Sequence, residues 1–287
     1  MLDYLEQNKD ITNFSGYKTK AVAKYFFELK EKDDLEKLWE IVDFANKNDL
    51  KIIFLWWGTN ILFAFDVFEG VIIKNNLKWF EVKNWILEVN SGESVVYLAS
   101  KLEKDYGNLS LKPWSSLPGT VGWAVAWNAG CFWLEVKDIF IEACLYSFDE
   151  NMIFNVDSGF MQFWYRTSFL KNNREYFLVS VKFDISKNVD HFFTEDFRLK
   201  NQPKWFSCGS VFGNPPWDFA GRILDKECHL NWTKRWWAKI SDLHSNIITT
   251  DGTATHQDVL YLINLAKKMT FEKIWVELKQ EINIIEN

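Results

Sequence analysis

Residues 117–130 read LPGTVGWAVAWNAG, and this stretch carries the first indication of the fold. Pro118-Gly119 and Gly122 predict a tight turn, and Asn128-Ala129-Gly130 predicts another. Glycine lets a backbone N–H approach a pyrophosphate closely, so such turns can hold a dinucleotide cofactor. The GxGxxG pattern that opens a helix in Rossmann folds is absent from the sequence, which argues against that kind of site.

A similar turn, Gly58-Thr59-Asn60, follows the apolar run Lys51–Leu55, which predicts a buried strand. A strand that ends in a glycine turn is another place where backbone amides can approach a pyrophosphate. A glycine turn is usually only a turn, so each signal is weak when it stands alone.

The spacing of apolar residues outside these turns predicts a mixture of helices and strands. Helices are expected at 34–49, 93–105, 218–226 and 256–273, and strands at 61–65, 70–73, 139–147, 176–184 and near 276–285. A helix followed by several strands favours an α+β fold over a regular βαβ alternation. A shift in composition, with Pro203 and Pro215-Pro216 beyond it, predicts a domain boundary near residue 195.

The composition excludes several classes of protein. The 287 residues include 33 Lys+Arg and 39 Asp+Glu, a formal charge of −6, which disfavours binding to nucleic acid. The longest apolar stretch, residues 52–65, is too short for a membrane span and is interrupted at 58–60. The start of the chain lacks the basic and apolar regions of a secretory signal, so we expect a cytoplasmic protein with no membrane partner.

The cysteines predict neither disulfides nor a metal site. The chain has four, Cys131, Cys144, Cys208 and Cys228, with no CxxC pair and no zinc-like spacing. They are typical of reduced thiols in a cytosolic protein.

Two polar residues stand out in apolar surroundings. Arg166, after Tyr165, can polarise a carboxylate or an enolate through charge-assisted hydrogen bonds. Ser210 lies between a glycine and apolar residues, where a hydroxyl can be held at a fixed place. Taken singly, such an arginine is more often part of a structural ion pair and such a serine a turn residue.

Seven motifs occur in one order along the chain. They are FLWWGTNIL (54–62), LPGTVGWAVAWNAG (117–130), YRTS (165–168), SCGSVFGNPP (207–216), FAG (219–221), HSN (244–246) and ELKQE (277–281). Together they resemble the UDP-N-acetylenolpyruvoylglucosamine reductases, flavoenzymes of peptidoglycan precursor synthesis, from about residue 12 to 285. The length and the direct run into Glu281 resemble the shorter class of this family, which lacks an extra tyrosine-bearing loop.

The resemblance implies an α+β fold with an FAD-binding domain of the vanillyl-alcohol-oxidase (PCMH) type, built of two subdomains, at 1–195. A smaller α+β substrate domain would occupy 196–287. The implied cofactors are FAD and NADPH, and the implied reaction reduces UDP-N-acetylglucosamine enolpyruvate to UDP-N-acetylmuramate. The expected protein is a cytoplasmic monomer whose partners are NADPH and a UDP-sugar.

The resemblance also implies roles for individual residues. Arg166 and Glu281 would polarise the substrate carboxylate and stabilise the enolate-like charge, and Ser210 would donate the proton that quenches it. Tyr165 and Asn214 would contact the substrate. The FAD would contact Trp56, Trp57, Gly58, Thr59, Asn60, Pro118, Gly119, Thr120, Gly122, Trp123, Asn128, Ala129 and Gly130. One departure is Gly213, where the family often has lysine, so Arg222 or Lys239 would have to supply the missing charge.

The remaining departures from the family pattern are systematic, because tryptophan stands where the family has glycine or where glycine is common. The positions are Trp56, Trp57, Trp123, Trp127, Trp133, Trp164, Trp217, Trp232, Trp236, Trp237 and Trp275. Indole rings at pyrophosphate-binding turns would abolish the close backbone approach that glycine allows. Trp114 fits a family aromatic, and the resemblance leaves Trp39, Trp79, Trp85 and Trp205 unassigned.

We hypothesise that the gene uses UGA for glycine and that the translated sequence follows a code in which UGA means tryptophan. The chain has 13 glycines and 16 tryptophans, and reading those eleven tryptophans as glycine raises glycine to 24. That is about 8% of the chain, near the average usage of about 7%. Two alternatives stay open. One is a tryptophan-rich glycan-binding module without flavin, since indole stacks on sugar rings; the other is a flavin oxidase of the same fold.

Overall fold

The computed structural model describes residues 2–55, 60–173, 175–187 and 203–287 of the chain. Its helices are α1 (Asp34–Lys47), α2 (Val95–Tyr106), α3 (Val121–Ala126), α4 (Val136–Ile139), α5 (Ser158–Met161), α6 (Phe169–Asn172), α7 (Ala220–Arg222), which continues as a π-helical turn over Ile223–Glu227, and α8 (His256–Ile274). Its strands are β1 (Glu6–Asp10), β2 (Val22–Leu29), β3 (Ile52–Leu55), β4 (Ile61–Phe63), β5 (Val67–Asn75), β6 (Phe80–Lys83), β7 (Ile86–Asn90), β8 (Gly130–Cys131), β9 (Leu134–Glu135), β10 (Phe140–Ser147), β11 (Met152–Asp157), β12 (Tyr176–Asp184), β13 (Phe206–Ser210), β14 (Lys234–Arg235), β15 (Ala238–Ile240), β16 (Ile247–Thr250) and β17 (Asn283–Ile285). This mixture confirms the predicted α+β class.

The described residues form two compact units. The first lies within Met1–Leu5, Phe27–Trp57 and Ile72–Glu195, and the second within Glu6–Phe26, Gly58–Val71 and Asp196–Asn287. The single boundary near residue 195 that the sequence suggests stays a prediction.

The long helices form because their apolar residues recur on one face. In α1 the buried residues are Leu35, Leu38, Ile41 and Ala45, and in α2 they are Val95, Leu98, Ala99 and Leu102. Helix α2 begins at Ser94, whose side chain accepts the Tyr97 N–H, and it ends at Gly107 in a left-handed conformation. No helix in the described ranges is long and apolar enough to cross a membrane.

The first unit is built on a five-stranded sheet with the order β11-β10-β12-β7-β6. Its core joins residues of this sheet to α2 and α3, and includes Leu87, Leu145 and Phe183. Trp114 is 1% exposed in this core and donates its indole N–H to the Leu134 carbonyl at 3.1 Å. This packing holds the segment that contains α3 and the turn before it.

The second unit contains a four-stranded sheet of order β13-β16-β15-β14 and the parallel pair β4 and β17. Helix α8 buries Val259, Leu262 and Ile263 in the core of this unit. The sheet places Ser210 at the end of β13, where it pairs with Ile247. Glu281 comes two residues before β17, so the two strands position the two predicted catalytic side chains of this unit.

Candidate active site

The turn before α3 is held by bonds within the protein. The Val121 N–H donates to the Glu93 carbonyl at 2.9 Å and the Gly122 N–H donates to the Ser91 carbonyl at 2.7 Å. Thr120 caps α3 by accepting the N–H of residue 123 at 3.3 Å. The N–H groups of residues 121, 122 and 123 therefore all donate to acceptors within the protein and fix the shape of the turn. The sequence pattern alone did not reveal these acceptors.

The side chain of Trp123 lies directly against the turn. A Cβ placed on Gly119 would be 2.6 Å from Cε3 of the Trp123 indole ring. A side chain at 119 would therefore collide with this ring, which lies on the Gly119 side of the turn. A glycine at 123 would leave that side open.

Asn128 is fully buried and joins three parts of the first unit. Its amide nitrogen donates to the Glu135 carboxylate at 3.2 Å and to the Trp164 carbonyl at 3.0 Å. Its amide oxygen accepts the Lys137 N–H at 3.0 Å. The next residue, Ala129, donates its N–H to the Ala124 carbonyl at 2.8 Å. Asn128 and Ala129 therefore hold in place the backbone next to Gly130. Through the bond to the Trp164 carbonyl, Asn128 also holds the backbone near Arg166.

Arg166 lies against Gly130. Its Nη2 donates to the Gly130 carbonyl at 3.1 Å, and Nη1 is 3.8 Å from a carboxylate oxygen of Glu135. A Cβ on Gly130 would be 2.9 Å from Nη1, so a larger residue there would displace the guanidinium. Nη1 is buried and has no hydrogen-bond partner within the described part of the chain. A buried, unsatisfied N–H is costly, and an anionic ligand group would satisfy it.

The guanidinium of Arg166 also stacks over its neighbour Tyr165, 5.1 Å from the ring centroid. The Tyr165 side chain is 71% exposed. Both residues belong to the first unit, whereas Ser210, Asn214 and Glu281 belong to the second.

The predicted FAD contacts Trp56, Trp57, Gly58 and Thr59 lie outside the described residues. Asn60, which follows them, is described and lies in the second unit. Its amide nitrogen donates to the Glu281 carbonyl at 3.2 Å, and its own carbonyl accepts the Asn283 N–H at 3.0 Å. Asn60, a predicted cofactor contact, is therefore hydrogen-bonded to the backbone of Glu281, a predicted catalytic residue.

One cavity in the second unit, of about 380 Å³, gathers Ser210, Asn214 and Glu281. The Glu281 N–H donates to the Val211 carbonyl at 2.8 Å, next to Ser210 in the chain. Asn214 accepts the Ala220 N–H at 3.0 Å and so holds the start of α7. Ser210 and Asn214 from one motif and Glu281 from a distant one therefore line the same cavity.

Arg222 is the cation that lines this cavity in the described part of the chain. Its guanidinium bonds to both carboxylate oxygens of Asp218 and, at 2.8 Å, to Glu227. The bonds from Arg222 lower the pKa of Asp218 to about 2, so the pair is ionised at neutral pH. Lys239, the other candidate for the missing charge, does not line the cavity and lies 3.5 Å from Asp242.

Gly213 stands where the family often has lysine, and the structure has room for a side chain there. The nearest atom to a Cβ on Gly213 is the Lys279 carbonyl oxygen, 3.8 Å away. A Cβ at residue 213 therefore meets no close contact in the described part of the chain.

Two positioning residues were not assigned a role from the sequence. The side chain of Asn246 bonds to both backbone groups of Phe212, and its backbone N–H donates to Nδ1 of His244 at 3.3 Å. The imidazole of His244 lies over Gly221, where a Cβ would be 2.9 Å from Cε1. The HSN motif (244–246) is the signal that could have pointed to them.

Comparison with known proteins identifies the family of the chain. Residues 202–285 match the model of the UDP-N-acetylenolpyruvoylglucosamine reductase C-terminal domain, and residues 24–146 match that of an FAD-binding domain. The chain is 31% identical to the UDP-N-acetylenolpyruvoylglucosamine reductase of Bacillus pumilus over 97% of its own length and 93% of the relative's. The same enzyme of Anoxybacillus flavithermus is also 31% identical, over 98% and 94%.

The fold agrees as well. The crystal structure of UDP-N-acetylenolpyruvylglucosamine reductase from Thermus caldophilus aligns with a TM-score of 0.77 and 22% identity, covering 98% of this chain and 99% of the other. The predicted PCMH-type FAD-binding domain and reductase C-terminal domain are thereby confirmed. The chain belongs to the UDP-N-acetylenolpyruvoylglucosamine reductase family, and it is an FAD-dependent, NADPH-using enzyme of peptidoglycan precursor synthesis.

Proposed function

We propose that this chain reduces UDP-N-acetylglucosamine enolpyruvate to UDP-N-acetylmuramate, with Arg166, Ser210 and Glu281 as its catalytic residues. The observation that carries the proposal is the cavity that gathers Ser210, Asn214 and Glu281 in the second unit. A hydroxyl, an amide and a carboxylate in one space provide a proton donor, a hydrogen-bonding group and a polar partner for a carboxylated substrate.

The residues proposed to hold FAD are the turns at 56–60, 118–123 and 128–130. The buried and unsatisfied Nη1 of Arg166 beside Gly130 supports an anionic or hydrogen-bonding ligand at this edge of the first unit. The Trp123 ring against Gly119 opposes a ligand there, so the residues fit the cofactor when position 123 is glycine. FAD, when bound, accepts a hydride from NADPH and supplies it to the alkene of the substrate.

Hydride addition to one alkene carbon builds negative charge on the enolate that forms next to it. Arg166 would polarise the substrate carboxylate and stabilise that charge, because a fixed cation costs no reorganisation during the reaction. Glu281, protonated or hydrogen-bonded at this stage, would complete the contact with the carboxylate. Ser210 would then give its hydroxyl proton to the enolate carbon, which completes the saturated product.

We propose that Arg222, the cation that lines this cavity in the described part of the chain, contacts the substrate's diphosphate while it stays paired with Asp218 and Glu227. Replacing Arg222 with methionine is expected to raise the Kd for the UDP-sugar about tenfold to a hundredfold, since a hydrogen bond to a charged group contributes about 1.5–3 kcal/mol. Titration of the purified protein with the UDP-sugar measures the change. Lys226→Met is the matched control, because Lys226 is a neighbouring cation that pairs with Asp225 and does not line the cavity.

A second substitution, at residue 213, tests the proposed role of Arg222 further. Gly213→Lys in the Arg222→Met background is expected to recover most of the affinity, because position 213 has room for the lysine that the family often carries there. An unchanged Kd in Arg222→Met would remove Arg222 from substrate binding.

The proposed reaction is tested with protein in which the eleven tryptophans that the hypothesis reads as glycine are replaced by glycine. Without oxygen, NADPH is expected to bleach the flavin absorbance, and the UDP-sugar enolpyruvate is expected to restore it with formation of UDP-N-acetylmuramate, identified by mass. Reoxidation by O₂ but not by the UDP-sugar would favour a flavin oxidase instead. A colourless protein that binds sugar polymers would favour the glycan-binding module.

A further inference from the structure

Tryptophan is the commonest non-glycine residue with a positive φ in the described part of the chain. The residues are Trp85 (φ 61°), Trp133 (φ 70°), Trp232 (φ 66°), Trp236 (φ 49°) and Trp275 (φ 57°), against four asparagines. Side chains with a Cβ are disfavoured there, and the usual exceptions are asparagine, aspartate and histidine. A bulky ring has no local hydrogen bond to offset that cost. The conformation of these five residues is therefore one that selects glycine.

Trp85 is the most informative of the five, because the family resemblance does not assign it. Strands β6 and β7 pair with Lys83 opposite Ile86, so Asn84 and Trp85 alone form the loop of a two-residue hairpin. Both have positive φ, 50° and 61°, which is the conformation of a type I′ turn. The preferred sequence for this turn is Asn-Gly, since its second position needs a residue without a Cβ. The loop has the asparagine and lacks only the glycine.

The same geometry recurs at positions where the family has glycine. Cys131 pairs with Leu134, and the loop between them, Phe132-Trp133, has two positive φ angles. Arg235 pairs with Ala238, and the first residue of that loop, Trp236, has the positive φ that a type II′ turn requires there. At residues 133 and 236 the backbone conformation and the family resemblance therefore both favour glycine, which supports the use of backbone conformation at Trp85.

A tryptophan with positive φ also stands at the end of helix α8. The helix ends at Trp275, which has a left-handed conformation and donates its N–H to the Phe271 carbonyl at 3.0 Å. Helices commonly end this way with glycine at that place.

Two other tryptophans have backbone conformations that do not select glycine. Trp114 is 1% exposed, has a negative φ and donates its indole N–H to a buried carbonyl, whereas Trp85 is 55% exposed. Trp39 lies inside α1 in helical conformation. Neither backbone position calls for glycine, and at 114 the ring itself fills the core.

We propose that residue 85 is glycine in the protein as its own cell makes it, encoded by UGA, and that Trp114 is genuine tryptophan. The reassignment of UGA at codon 85 then rests on backbone conformation, because the family resemblance does not assign residue 85. One consequence concerns function. The exposed rings of Trp85, Trp133 and Trp275 would not exist in the cell, so they would not form a sugar-stacking surface.

The decisive measurement is peptide mass spectrometry of the protein isolated from its native cell. The peptide that contains residues 84–88 is expected to have the mass for glycine at 85, and the peptide around residue 114 the mass for tryptophan. In the gene, codon 85 is expected to be TGA and codon 114 TGG. Tryptophan mass at 85 or a TGG codon there would overturn the proposal, whatever the enzyme's activity proves to be.

A stability series on the full recombinant chain tests the physical argument separately. Trp85→Gly is expected to raise Tm by about 3 °C and Trp85→Asn by less, because asparagine tolerates the left-handed conformation better than tryptophan. The matched control, Trp39→Gly, is expected to lower Tm by a similar amount, since glycine weakens a helix interior. A lower Tm for Trp85→Gly would contradict the assignment of residue 85.

Discussion

Protein with glycine at 56, 57 and 123 is expected to bind FAD at least a hundredfold more tightly than protein with tryptophan at all three. The reason is steric: the Trp123 ring lies against Gly119, on the turn where the cofactor would approach. Overfilling a packed site costs about 1–3 kcal/mol per position, so bulky residues at three proposed cofactor contacts are expected to lower the affinity by two orders of magnitude or more. Titration of each apoprotein with FAD, followed by flavin fluorescence, measures the difference.

The control separates the cofactor site from a general effect of removing indole rings. Protein with glycine at 232, 236 and 237 instead, three tryptophans in the second unit, is expected to gain no affinity for FAD. Equal binding by the chain with tryptophan at 56, 57 and 123 would show that those rings leave the site open, and the turn at 118–123 would then be dropped as a contact.

Replacing Ser210 with alanine in the glycine-restored protein is expected to lower turnover about 10²–10⁴-fold, the range for loss of a positioned proton donor. FAD binding and bleaching by NADPH are expected to be unchanged, because Ser210 is proposed to act only on the substrate's enolate. The two half-reactions are measured separately by stopped-flow absorbance. Selective loss of the second half-reaction would be the signature of the proposed role.

Ser210→Cys provides the matched comparison. A thiol keeps a proton at nearly the same place, so this variant is expected to retain more activity than alanine. The backbone of residue 210 pairs with Ile247 in the sheet, and neither substitution alters that pairing. Wild-type turnover in Ser210→Ala would remove Ser210 from the mechanism.

The helices and several strands could be predicted from the sequence because their signals are local. The predicted helix at 93–105 is Val95–Tyr106 in the structure, since its apolar spacing, its Ser94 cap and its terminal Gly107 all lie within the segment. The predicted strand at 176–184 has those bounds in the structure, because a continuous β-branched and aromatic run favours a buried strand. Likewise, the seven ordered motifs were sufficient to identify the family.

The contacts that build the site could not be predicted, because they join residues far apart in the chain. Asn128 bonds to the carbonyl of residue 164, Arg166 bonds to Gly130, and the backbone of Glu281 is held by Asn60. No local pattern encodes such pairs. The same limit applies to the turn before α3, where the acceptors of its N–H groups, Ser91 and Glu93, lie outside the motif.

The parallel pair of β4 and β17 has a consequence for the synthesis of the protein. Asn60, at the start of β4, and Glu281, just before β17, are 221 residues apart in the chain. At about 5–20 residues per second, a ribosome needs roughly 10–40 s to make the intervening polypeptide. During that time Leu62 and Phe63 lack their strand partner β17. Their apolar side chains are fully buried in the complete fold. These apolar side chains are therefore exposed to solvent or to a chaperone until the strand that follows Glu281 has been made.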